Sequence, residues 1–172
     1  MDPLLIVLRL VHIISGVLWV GGAVFVFRYV EPTAKELGPR AEPFMTSLVE
    51  TRKIGLYFMI LSGLTVLAGS WLFWIDSAGD PLGWITRDGT GMAFGIGGLA
   101  AWIAFFVGLL AVKPAVEELG AAGSAMRDAG GPPGPELVAR MDAAQARMGM
   151  LSKVDLGLLS IAIVMMAIAR YL

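Results

Sequence analysis

Four long runs of apolar residues decide which solvent this chain can fold in. A bilayer core about 30 Å thick is crossed by a helix of about 20 mostly apolar residues. Only helices and closed barrels satisfy their own backbone polar groups in lipid. The runs cover residues 4–29, 54–75, 92–112 and 154–171. The second and third carry no charge; the first contains Arg9 and His12 before Arg28 at its end, and the fourth contains Asp155 and Arg170. The expected fold is therefore all-α, a polytopic membrane four-helix bundle in one integral domain. The first run is longer than the 7–15-residue apolar core of a signal peptide, and it ends in Phe25-Val26-Phe27-Arg28 with no small-residue cleavage pattern. It reads as a retained span.

Lysine and arginine orient the spans. Ten of them lie at or between residues 28–53 and 113–153, against three elsewhere, Arg9, Arg87 and Arg170. This bias places the two long connections in the cytoplasm and both termini outside, in the plasma membrane. Trp71, Trp74 and Trp84 then fall at the outer edge, as an aromatic belt would.

The chain repeats itself. Val30-Glu31-Pro32-Thr33-Ala34-Lys35-Glu36-Leu37-Gly38 and Val112-Lys113-Pro114-Ala115-Val116-Glu117-Glu118-Leu119-Gly120 agree at five of nine positions, at an offset of 82 residues. Gly16 and Gly98 stand at the same offset. Lys53-Ile54-Gly55-Leu56 echoes Lys153-Val154-Asp155-Leu156, with 18 extra residues in the second connection. Two duplicated helical hairpins in parallel orientation account for this.

Phe44, Leu48 and Ile54 share helical spacing, so a helix is expected to lead into span two. The stretch from Ala121 to Pro135 is rich in Gly, Ala and Pro and reads as a flexible link. Leu137, Met141, Ala144, Met148 and Leu151 then form a heptad run that continues into span four. Spans two and four are expected to project into the cytoplasm as a stalk that packs on itself or docks a partner.

Charged and polar side chains inside a span mark functional sites by default. His12, the single histidine, lies about 12 Å along span one from Leu4. Arg9, Ser15, Gly16 and Trp19 share its face. On span four, Met165 and Met166 lie at similar depth, and Arg170 near the level of Arg9. Imidazole with thioether is an axial pair for haem, and guanidiniums pair with carboxylates such as propionates. The same donors, with Met92, suit cuprous copper. Equally, His12 can simply hydrogen-bond a neighbouring helix, the methionines can be filler, and the arginines can snorkel to headgroups. At the inner edge, Arg52, Lys53, Lys153 and Asp155 read as anchors or as part of a proton relay. The absence of cysteine excludes disulfides, iron–sulfur clusters and thiolate ligands. No basic stripe suited to nucleic acid is present.

Leu10-Val11-His12-Ile13-Ile14 followed by Trp19-Val20-Gly21-Gly22 resembles the first span of the HemJ/CopD-like superfamily of small membrane proteins. Thr51-Arg52-Lys53-Ile54-Gly55 is similar to the start of that family's second span, and Ile161 to Arg170 to its last. The chain lacks the family's further histidines and the additional spans of its CopD members. The resemblance implies a four-helix fold with a b-type haem ligated by His12; on the reading of the residues themselves, Arg9 and Arg170 would hold its propionates and Trp19 would line the pocket. The implied activity is electron transfer or membrane oxidoreduction, as in HemJ proteins. CopD proteins imply copper instead, which His12 with Met165, Met166 or Met92 would bind on the reading of the residues themselves. A redox partner or a homodimer would serve either activity, and a third reading is a non-catalytic accessory protein.

Overall fold

A computed structural model describes residues 2–129, 132 and 134–172. Among these residues there is no strand, and four helices are long and apolar enough to cross a membrane. They are α1 (Pro3–Leu37), α3 (Ile54–Asp76), α5 (Gly89–Met126) and α6 (Pro135–Tyr171). Two short helices, α2 (Glu42–Thr46) and α4 (Pro81–Arg87), lie in the connections. Large apolar side chains such as Val17, Leu67 and Leu99 stand more than 60% exposed on the outer faces of the spans. Water would penalise each by roughly 1.5–3 kcal/mol relative to burial; lipid does not. The chain is a membrane-embedded bundle.

Local chemistry sets the helix ends. Pro3 occupies the first turn of α1, and Asp2 caps it by accepting the Leu4 amide at 2.9 Å. Asp80 caps α4 through the Gly83 amide, and Asp88 caps α5 through the Thr90 amide. Inside α1 and α5 the prolines widen the helix instead of ending it. Pro32 has no N–H, and its ring collides with the carbonyl four residues back. The turn before it, Val26–Val30, opens to a π-helix in which Glu31 donates to Val26. The same turn stands at Gly108–Val112 before Pro114, where Lys113 donates to Gly108. The two π turns are 82 residues apart, the offset of the sequence repeat. The first helix of each hairpin is thus duplicated in backbone as well as in sequence.

α1 packs on α3 and α5 on α6, and the two hairpins join chiefly through α3 and α5. Small residues let the backbones close up, as membrane interfaces require. Ala93, Ala100 and Ala104 of α5 are buried, and a Cβ on Gly97 would lie 3.2 Å from the Ala162 carbonyl oxygen of α6. Across the first hairpin the buried hydroxyls of Ser15 and Thr65 meet at 2.8 Å. Hydrogen bonds of this kind average about 0.6 kcal/mol in membranes. A double-mutant cycle of Ser15→Ala with Thr65→Val is expected to return a coupling of about that size. Additive single-mutant effects would mean the pair contributes nothing across the interface.

Two expectations about the connections need correction. Span two does not extend toward the basic end, because Lys53 sits in the left-handed region (φ 50, ψ 45) and breaks the chain between the Ser47–Thr51 turn and α3. The stretch from Ala121 is not a flexible link at its start either. α5 continues through it as helix, with Ala122 fully buried against α6. Alanine favours helix strongly enough to carry two glycines. The rest of that expected link includes residues 130, 131 and 133, which lie outside the described residues. The heptad face of α6 does pack inward. Ala144 and Met148 are buried, and Arg147 reaches Glu118 of α5 at 3.7 Å. The stalk is thus made by α5 and α6.

Candidate functional site

The stripe of α1 that carries His12 faces α3. The imidazole ring lies over Gly69, where a Cβ would come within 2.7 Å of Cε1 and 2.8 Å of Nδ1. Only glycine leaves the ring room. Nδ1 is 2.8 Å from the Thr65 carbonyl oxygen. A carbonyl only accepts, so Nδ1 bears the proton of that bond. In the neutral ring the lone pair is therefore on Nε2. A backbone carbonyl holding Nδ1–H is the usual way in which a protein orients a ligating histidine.

His12 borders a cavity of about 280 Å³ between α3, α4 and α5. Gly69, Ser70, Phe73 and Asp76 of α3 form one wall; Phe94, Gly98 and Trp102 of α5 form the opposite one. Met166 enters from α6, so all four spans contribute. α4 covers the end nearest the termini. Its Trp84 ring stands 5.2 Å from that of Phe73 and 6.0 Å from that of Phe94, and the indole donates to Asp88 at 2.8 Å. Trp102 donates to Ser70 at 3.0 Å, which fixes its ring across the cavity. At the mouth, Arg9 lies 3.8 Å from Asp76, with both side chains more than a third exposed. Such a pair contributes little to stability but keeps a cation at the rim. Leu99 lines the cavity and is also exposed on the outer face of α5.

The structure brings His12 and Met166 to one cavity and holds Arg9 at its edge. It does not bring in the other residues expected there. Trp19 is buried in the hydrophobic core with Val66 and Ala101 and does not itself line the cavity. Met165 turns its Cβ toward Gly97, and Met92 is 47% exposed on the outer face. Arg170 sits on the terminal 3₁₀ turn, exposed and outside the cavity lining. Sequence reasoning missed Ser70, Asp76, Phe94 and Trp102, and took Gly69 and Trp84 only as packing and belt. The one signal for Asp76 was an acid closing an otherwise uncharged span at the level of Arg9. Among the described residues, no group of three or more His, Cys, Asp or Glu side chains could hold a metal ion. No family model matches the chain, and neither the curated proteins nor the solved structures contain a match.

Proposed function

We propose that this is a HemJ-like membrane protein that binds haem b beside His12 and acts in electron transfer or membrane oxidoreduction. The observation that carries the reading is the Nδ1–Thr65 hydrogen bond, which leaves the lone pair on Nε2 of His12, a residue that borders an aromatic cavity. The residues present fit the group. A ring nitrogen and the Met166 thioether are both iron ligands, and the walls are mostly apolar or aromatic, as a porphyrin face prefers. The cavity lies just below the usual size range of small-molecule sites. When bound, the haem would supply reversible one-electron chemistry.

The chain's own residues supply the rest. Thr65 and Gly69 fix the imidazole. Trp84 and α4 exclude water from the terminal end. Arg9, held by Asp76, can turn to an anionic propionate. The basic end faces the cytoplasm of the plasma membrane, in keeping with the lysine and arginine bias. Electrons would pass to a redox partner or to a second copy of the chain.

Copper is the second reading, favoured by the softness of the His12 and Met166 donors. One nitrogen and one sulfur do not fill a coordination sphere, so that reading needs a second copy. The deciding measurement is the visible spectrum of detergent-purified protein, oxidised and dithionite-reduced, with a haem titration. A Soret band that shifts on reduction is the expected result. A wild type that stays colourless after haem is added overturns the proposal. Stoichiometric copper without a band would select the second reading, and co-purification of another protein with neither cofactor would select the accessory one.

A further inference from the structure

A second polar cluster lies at the opposite, basic end, and it does not depend on the haem reading. Asp155 of α6 is only 4% exposed, and its Oδ1 has no hydrogen-bond partner. No ion pair reaches it among the described residues. One turn earlier on the same face is Ser152, itself 5% exposed. The Ser152 hydroxyl lies 2.7 Å from Oε2 of Glu31 on α1 and 2.9 Å from the Met148 carbonyl oxygen. Its single proton goes to one of these acceptors at a time, and its lone pairs remain free. Leu159, one turn deeper on the same face, is 1% exposed.

Charged groups are plentiful nearby. Arg28 and Lys35 flank Glu31 on α1, Lys113 lies on α5, and Arg147 and Lys153 lie on α6. None is paired with Asp155: Arg147 is taken by Glu118, and Lys153 is exposed. A buried carboxylate with an unpartnered oxygen is costly, and the cost disappears when the group takes up a proton. Nor does the hairpin architecture require an acid here. Gly55 stands at the equivalent position of the first hairpin, and Lys113 stands where the repeat of Glu31 falls.

We propose that Asp155, Ser152 and Glu31 form a proton-binding site, in which the Asp155 carboxyl carries a proton exchanged with the aqueous phase at the basic end through Ser152 and Glu31. Protonated Asp155 gains a donor, and Ser152, three residues back on the same face, offers its acceptor lone pairs. Glu31, whose side chain is only partly buried, connects Ser152 to water. Deprotonation returns the proton by the same route and leaves the carboxylate charge behind, with no other bond made or broken.

Dicyclohexylcarbodiimide tests this, because it enters apolar sites and adds only to protonated carboxyls. The full-length protein in detergent is treated across a pH series, with and without sodium chloride, and the adduct is located by fragment mass spectrometry. The expected result is one stable adduct on Asp155 that falls tenfold per pH unit once the proton leaves. It is absent in Asp155→Asn, and labelling at neutral pH drops several-fold in Glu31→Gln. Fragment mapping of the wild type makes the test independent of whether Asp155→Asn folds. An unlabelled wild type at every pH, or an adduct on another residue alone, overturns the proposal. Protection by sodium overturns it in favour of a metal cation, and unchanged labelling in Glu31→Gln removes Glu31 from the site.

Discussion

His12→Ala is expected to abolish haem binding, and Gly69→Ala to weaken it about ten- to hundred-fold, the usual cost of disturbing the partner that orients a ligating histidine. The two variants act on the same ring from opposite sides. The first removes Nε2. The second leaves the imidazole in place but puts a methyl group within 2.8 Å of Nδ1. The ring must then tilt away from the Thr65 carbonyl and lose its 2.8 Å hydrogen bond. Gly63→Ala is the control, because a Cβ at Gly63 meets nothing within 4 Å. Haem titration followed at the Soret band reads all three. Binding by Gly69→Ala at wild-type affinity would show that the Thr65 bond does not position the ligand. Retained binding by His12→Ala would take the ligand role from His12.

Gly91→Ala is expected to destabilise the bundle by about 3 kcal/mol, the upper part of the range for overpacking a tight contact. The added carbon would lie 2.5 Å from the Trp84 carbonyl oxygen, 2.6 Å from its Cγ and 2.7 Å from its carbonyl carbon. Two of these atoms are backbone, so no rotamer change relieves the clash. α4 has to lift off α5, and the Phe73–Trp84–Phe94 arrangement goes with it. Gly21→Ala has open space around its Cβ and should be neutral or gain up to about 1 kcal/mol from helix propensity. Thermal unfolding in detergent, followed by tryptophan fluorescence, compares the two. Equal melting temperatures would mean that α4 is not seated on α5.

How much of this was legible depended on whether a single helix or several carried the signal. The spans were readable because lipid demands a continuous apolar run and nothing in sequence disguises one. The repeat was readable too, but its mechanical form was not. Pro32 and Pro114 look like helix ends, whereas each sits inside a continuing helix that widens to a π turn. The break at Lys53 was hidden because no glycine or proline marks a left-handed lysine.

At the site, His12 stood out as polar in an apolar run, and depth along α6 brought Met166 into view. Trp19 misled for a geometric reason. Seven residues return to nearly the same face, so the stripe was right, but the ring lies about 10 Å deeper and joins the core. Arg170 misled because the last turn tightens to 3₁₀ and rotates the side chain away from the helical register. Ser70, Asp76 and Trp102 belong to the site only through the packing of α3 against α5, and no periodicity in either segment reports that.

The duplicated hairpins carry a consequence for how a cavity between them can be furnished. Position 94 lies 82 residues after His12, the repeat offset, and it is a phenylalanine lining the same cavity. Two identical hairpins meeting as separate chains would have to present the same side chain from both walls. Joined in one chain, they are free of that identity. One wall supplies a nitrogen donor, and its counterpart supplies an apolar ring. The cavity has a donor side and a contact side, so an asymmetric ligand entering it has one orientation to adopt.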